Sequence, residues 1–185
     1  FALPKELSPE QNIELAKAFA ERLAQTSDGP TPYTFAIHRS EKNPDLLHCH
    51  LMLSDKIHDG HDRTPDLWFK RSVPKSGRGA DKDPAQGGAP KTQERGYDRE
   101  KDEQWVDRIR PLWAELANAS LEQAGLSGVR IDHRSLEARR EEQERLASEA
   151  RERGEASVAA RHQKAADELD RPSQPKRGRV LEHGG

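Results

Sequence analysis

Tyr33-Thr34-Phe35-Ala36-Ile37-His38 and Leu47-His48-Cys49-His50-Leu51-Met52-Leu53 are two short apolar runs on either side of a polar loop, Arg39 to Asp45, that contains Asn43-Pro44. β-Branched, aromatic and aliphatic residues with turn formers between them predict an antiparallel β-hairpin. Side chains alternate between faces along a strand. His48 and His50 therefore project together, while Leu47, Cys49, Leu51 and Leu53 project the other way, into a core. On the partner strand Tyr33, Phe35 and Ile37 form the apolar set, with Thr34, Ala36 and His38 opposite. The register that joins the two apolar faces sets His38 beside the His48/His50 pair. Three imidazoles then share one face of one sheet.

Converging neutral imidazoles with open coordination positions are what a catalytic divalent metal needs. A plainer reading competes with this one. With eight histidines in 185 residues, one His-x-His pair arises readily by chance, and a strand histidine is commonly just a half-exposed polar side chain. The third histidine, on a partner strand with matching alternation, favours the metal. Cys49 sits between two histidines in the manner of a nucleophile or ligand, but alternation points it into the core as a small hydrophobe.

Composition limits what the rest can be. The chain is 35% charged and 32% hydrophobic, with a mean hydropathy of −1.07. Its 185 residues suit one domain with an appendage. The first two thirds hold enough apolar material for a core and the last third does not. A net charge of −2 creates no global positive field, so any charge that binds nucleic acid is local. A single cysteine excludes an internal disulfide and fits a reducing, cytoplasmic setting. No apolar run approaches a membrane span and no signal peptide is present, so no membrane insertion is expected. Phe1 opens the chain in what already reads as ordered structure, so the natural N-terminus is expected upstream.

Phe1-Ala2-Leu3-Pro4 reads as the end of a strand. Ser8-Pro9-Glu10-Gln11 is a capping-box start, and the helix it opens runs to about Ala24 with Ile13, Ala16, Phe19, Ala20 and Leu23 on its core face. Asp28-Gly29-Pro30 stops it. A helix leading into a hairpin implies an α+β fold, an antiparallel sheet covered on one side by helices. Ser54 to Pro65 contains His58, Asp59, Gly60, His61 and Asp62. These residues suggest a second metal site, but Gly60 and Pro65 punctuate the stretch as a solvated turn. Leu67, Trp68 and Phe69 form a short apolar anchor beside Lys70 and Arg71. Such aromatics suit stacking on bases and such cations suit phosphates, although a simply packed Trp68 explains the pattern equally well.

Val73 to Thr92 holds four glycines and three prolines, and it predicts a loop with no structure of its own. Lys70 through Lys91 carries six Lys or Arg against two Asp. A flexible basic loop could close over a DNA strand through Lys70, Arg71, Lys75 and Arg78, or serve only as a spacer. A helix is predicted from about Glu100 to Gln123, with Trp105, Ile109, Leu112, Trp113, Leu116 and Leu121 on one face. Pro111 predicts a kink or a break near Arg110, and Gly125 ends the helix. Val129-Arg130-Ile131-Asp132 reads as a short strand. His133 reads as a turn residue or an extension of the metal site, and Asp132 as a group that orients a histidine. Leu136 to Leu169, dense in Glu, Arg and Ala, predicts one or two solvated helices rather than a coiled coil. The resulting divisions are a core over 1–134, a charged helical extension over 135–170 and a disordered basic tail over 171–185.

Several of these motifs recur together in one known family. The hairpin with Asn43-Pro44 and His48-Cys49-His50, preceded by Phe1-Ala2-Leu3-Pro4 and its helix, is followed in order by Asp59-Gly60, Trp68-Phe69-Lys70-Arg71 and Ile131-Asp132-His133-Arg134-Ser135-Leu136. This succession resembles the MobA/MobL family of plasmid mobilisation relaxases, which belong to the HUH (His-hydrophobe-His) endonucleases. One departure is visible. The family often runs Asn-Pro almost directly into the histidine pair, whereas Asp45, Leu46 and Leu47 intervene here. The resemblance implies an incomplete HUH relaxase-like fold and an enzyme that nicks and rejoins single-stranded DNA at a transfer origin. In that reaction a tyrosine attacks one phosphodiester and leaves a 5′-phosphotyrosine and a free 3′-hydroxyl. It further implies His38, His48 and His50 as ligands of manganese or magnesium, with zinc able to bind in vitro. Accessory mobilisation and coupling proteins are the implied partners. The nucleophile is expected upstream of Phe1, because Tyr33 alternates into the core and Tyr97 matches no family position. The alternatives are a rolling-circle replication initiator and a non-enzymatic DNA-binding or scaffold protein with incidental histidines.

Overall fold

Ser8 starts the first helix through a reciprocal cap. Its hydroxyl accepts the Gln11 backbone N–H at 3.2 Å while the Gln11 side chain accepts the Ser8 N–H at 2.9 Å, which satisfies two donors that the first turn leaves unpaired. Helix α1 (Pro9–Ala24) follows. The computed structural model describes residues 1–39, 46–96 and 104–170, and it separates into two compact units, Phe1–His133 and Arg134–Gly185. The first unit mixes helices with small antiparallel sheets, an α+β fold. After α1 come the two-residue strands β1 (Gln25–Thr26) and β2 (Gly29–Pro30), paired with each other, then β3 (Tyr33–Arg39) and β4 (Leu47–Leu53). A short helix α2 (Pro65–Trp68), a long loop with one 3-10 turn at Pro84–Gln86, and helix α3 (Trp105–Gln123) complete it. The Asn43-Pro44 turn, Tyr97, the expected helix start near Glu100 and the tail 171–185 lie outside the described residues.

The hairpin has the register its sequence predicts. β3 and β4 pair antiparallel with Phe35 opposite Leu51, Ile37 opposite Cys49 and His38 opposite His48. On the other edge of β4 the N-terminal segment adds a third strand. Leu3 N–H donates to Leu47 O at 3.0 Å, Cys49 N–H donates to Phe1 O at 2.8 Å, and Ala2 pairs with His48. β4 is therefore central where the histidines lie. The helices cover the apolar face only. Leu3, Ala16 and Cys49 are buried together with Phe35, Ile37, Leu47 and Trp113 against them. Leu7, Leu15, Ala117 and Leu121 form a second cluster between α1 and α3. The Phe1, Phe19 and Trp113 rings close the seam, with centroids 4.6–5.2 Å apart.

Three expectations are corrected. Ile13 is 46% exposed, and Asn12 and Leu15 take the buried positions beside Ala16, Phe19, Ala20 and Leu23. Asn12 earns its burial with its amide, which donates to Pro4 O at 2.9 Å and anchors the chain entering the helix. Val129–Asp132 is not a strand. The Asn118 side chain supplies what a neighbouring strand would have supplied, accepting the Ile131 N–H at 2.7 Å and donating to Ile131 O at 2.9 Å. The stretch Val73–Thr92 is no free linker. Gly87, Gly88 and Ala89 are buried, Gly88 N–H donates to Arg71 O and Ala89 N–H donates to Trp68 O, both at 3.0 Å. The two glycines permit this, because a methyl group at Gly88 would lie 1.9 Å from Lys70 O. Pro111 is accommodated within one continuous helix, α3.

The second unit is a helical hairpin of α4 (Leu136–Glu152) and α5 (Ala156–Leu169). Ser135 caps α4 by accepting the Ala138 N–H at 3.1 Å, and Gly154 turns the chain at φ 74°. The helices bury Ala147, Ala150, Ala159 and Ala166, so they pack together through small side chains rather than standing separately in solvent. Arg151 donates to Gln163 at 2.7 Å, and His162 Nδ1 lies 2.8 Å from Gln143 Oε1 across the hairpin.

The packed state of the 70–89 loop is testable. Gly88→Ala forces backbone apart and is expected to cost about 1–3 kcal/mol, read as a lower Tm with faster amide exchange confined to this loop. Parent-like stability and exchange would return the segment to a linker.

Candidate metal centre

Strand alternation and the register combine to make one face of the hairpin a histidine face. His38 is the cross-strand partner of His48, and His50 stands opposite Ala36 one pair further along that face. The His38 and His50 ring centroids are 4.4 Å apart with planes inclined at 34°, and His38 and His48 are 6.4 Å apart at 25°. His38 and His50 are exposed and His48 is half-buried. Ala2, Thr34, Ala36 and Met52 occupy the same face, all exposed, and Met52 keeps 68% of its surface accessible. Cys49 lies on the other side at 1% exposure, where burial pushes its thiol pKa up. It is a packing residue and not a thiolate donor.

The donor chemistry of this trio suits a divalent ion, and the backbone places the three rings on one side of one sheet. As the side chains stand, their rings stack rather than aim at a common point. Among the described residues no three His, Cys, Asp or Glu side chains are gathered as a formed metal site. Within the described residues no hydrogen bond fixes any of these three rings. Tyr33 lies in register with Phe35 and Ile37 on the opposite, apolar face. Ile131 packs against Leu7 and Leu15 in the helical layer, with Asp132 beside it half-buried and His133 exposed. A groove of about 680 Å³ runs between α1 and α3 past Ile13 and Leu116, away from the histidines.

The residues singled out for DNA fall into distinct surroundings. Lys70 and Arg71 are exposed at the end of α2, and Arg78 stands exposed between Gly77 and Gly79, both at positive φ. Lys75 is exposed and lies near Asp28, whose carboxyl is held low by the Gln93 N–H, the Thr92 hydroxyl and, more weakly, Lys75 itself. Trp68 is half-buried with its ring 4.6 Å from that of His58. Lys91 is paired with Asp55.

Three cations that hold the loops together were not singled out from sequence. Lys56 is 5% exposed and its ammonium donates to Ala89 O at 2.6 Å and Lys70 O at 3.1 Å. The Arg63 side chain is 1% exposed. It forms a two-pronged pair with Asp59, one bond of 2.8 Å, and donates to Gly87 O at 2.8 Å. Arg95 donates to Leu23 O at 2.9 Å and Thr31 Oγ1 at 2.6 Å, with burial depressing its pKa. Asp59 four residues before Arg63, and the adjacent Gly87-Gly88, are the only signals in the sequence for a packed loop, and composition outweighs them.

The chain matches the MobA/MobL family over residues 1–163 and belongs to that family. It is 44% identical over 139 residues to "Mobilization protein A" of Escherichia coli, an alignment covering 75% of this chain and 17% of that protein. It is 33% identical over 140 residues to the "43 kDa relaxation protein" of Salmonella typhimurium, covering 74% of this chain and 34% of the relative. Against "Mobilization protein MobL" of Acidithiobacillus ferridurans the identity is 33% over 144 residues, 72% of this chain and 35% of the relative. The chain thus spans about a third or less of the length of these relatives. Among the described residues no helix is long and apolar enough to cross a membrane.

The Arg63–Asp59 pair makes the loop acid-sensitive. Hydrogen bonding from Arg63 holds the Asp59 carboxyl below its ordinary value of 3.8. The stabilisation is complete above that value and is lost as the pH falls through the lower, folded one. Asp59→Ala leaves the buried guanidinium short of its partner and is expected to lower stability by about 3 kcal/mol at neutral pH. The check is thermal denaturation from neutral to acid pH, in which the gap between parent and variant closes below the aspartate range. A gap that stays constant with pH would show the pair to be unimportant.

Proposed function

We propose that this chain carries the metal-binding part of a plasmid mobilisation relaxase, which nicks and rejoins single-stranded DNA at a transfer origin by tyrosine transesterification. The observation that carries the reading is the cross-strand placement of His38 against His48, with His50 next to it on the same open face. Family membership and the names of the relatives support the mobilisation role. His38, His48 and His50 would hold the ion, manganese or magnesium in the bacterial cytoplasm, although nitrogen donors intrinsically favour later metals such as zinc. A bound divalent ion supplies charge that orients the scissile phosphate and offsets the negative charge that develops on it.

The chain's own residues support this chemistry in three ways. Small side chains at Ala2, Thr34 and Ala36 leave the histidine face open to a nucleotide backbone. Lys70, Arg71 and Arg78, with Lys75 partly offset by Asp28, supply local positive charge for phosphates on a chain whose net charge is −2. Tyr33, on the apolar face, is turned away from the histidines, so the attacking tyrosine of this reading comes from another part of the protein. Accessory mobilisation and coupling proteins would meet the full-length relaxase at the origin.

Calorimetric titration with manganese chloride tests the site. The parent is expected to bind one ion. His48→Ala is expected to bind it more weakly than the roughly 10- to 100-fold loss typical of removing an outer-shell partner, with unchanged far-UV circular dichroism. No binding by the parent, or equal binding by the variant, would leave the histidines as ordinary surface residues.

A further inference from the structure

The turn after α2 has an unusual combination of features, a rigid backbone carrying freely exposed side chains. Phe69 is 72% exposed, the highest value among the exposed large apolar side chains of the described residues, and its neighbours Lys70 and Arg71 are exposed too. The backbone beneath them is tied down on both sides of Phe69. Trp68 O accepts from Ala89 N–H, Lys70 N–H donates to Leu67 O and Arg71 O accepts from Gly88 N–H, each at 3.0 Å. Lys70 O also accepts from the buried Lys56 ammonium at 3.1 Å, and the same ammonium donates to Ala89 O at 2.6 Å. Lys56 thus clamps the two ends of the loop together from inside, and the Trp68 ring, lying against His58, leaves Phe69 as the aromatic presented to solvent.

A buried ammonium is costly to desolvate, and here two carbonyls are its partners. What it secures is a fixed position for one exposed phenylalanine between two cations. We infer that Phe69 is a preformed stacking platform for one base of single-stranded DNA, with Lys70 and Arg71 on the flanking phosphates and Lys56 as the positioning residue that holds the turn. Stacking is tolerant of sequence because every base offers a π-face, and holding the backbone beneath the ring in place beforehand lowers the ordering cost of binding. This rests on the reading of the chain as a DNA-binding relaxase segment, and it adds a contact separate from the histidine face.

The test is binding of the whole chain to a labelled oligothymidylate containing one 2-aminopurine, followed by anisotropy across a salt series and by the fluorescence of the analogue. Phe69→Ala is expected to weaken binding roughly tenfold with an unchanged salt slope, and to abolish the quenching that reports stacking. Phe69→Trp is expected to restore both. Lys70→Ala with Arg71→Ala is expected to lower the salt slope by about two phosphate contacts. Lys56→Met, which removes a cation that touches no phosphate, is expected to weaken binding without altering the slope. Affinity and quenching in Phe69→Ala within twofold of a DNA-binding parent would overturn the platform and leave the DNA reading intact, whereas no binding by the parent would overturn both. Parent-like binding by Lys56→Met would remove the clamp from the account.

Discussion

The cross-strand register of β3 and β4 is the constraint on which the rest depends. Side chains alternate with a period of two, so a slip of one residue would carry every histidine into the core and every leucine into water. The register is held from the apolar side, where Cys49 is buried with Leu3 and Ala16 and faces Ile37. It is held from the edge by the hydrogen bonds of Phe1 and Leu3 to β4. The core thus does more than stabilise the fold. By fixing which residues point inward, it fixes which three imidazoles share the outer face.

The second organising device is a set of cations placed inside the loops. Lys56, Arg63 and Arg95 each satisfy several backbone carbonyls with one side chain. A loop rich in glycine and proline cannot bury enough apolar surface to order itself. Charge-assisted bonds to its carbonyls substitute for that missing core. The result is that the basic loop is not a loose flap but a stretch whose backbone is bonded in place beneath its exposed cations.

Much of this was legible in the residues. The hairpin, its register and the three-histidine face followed from alternation alone, and the helix start at Ser8 followed from its cap. Cys49 was correctly assigned to the core because its neighbours on alternate positions are leucines. Other features were not legible, for physical reasons that can be named. The burial of Ile13 was misjudged because Asn12 finds backbone partners for its amide, and such partners are invisible to hydrophobic periodicity. The Val129–Asp132 strand was misjudged because the Asn118 amide does the work of a neighbouring strand. The 73–92 stretch reads as a loop with no structure of its own because its glycines suggest freedom, whereas Gly88 is there for a close approach of backbone to Lys70. In the second unit sparse apolar residues predict solvated helices, and alanine is the residue through which α4 and α5 meet.

The most direct test of the account is a manganese-soaked crystal examined by anomalous diffraction. The account predicts one strong anomalous peak on the open face of the hairpin, within bonding distance of a ring nitrogen of each of His38, His48 and His50. A peak held by only one or two of these rings, or located elsewhere on the surface, or no peak at all, would contradict it.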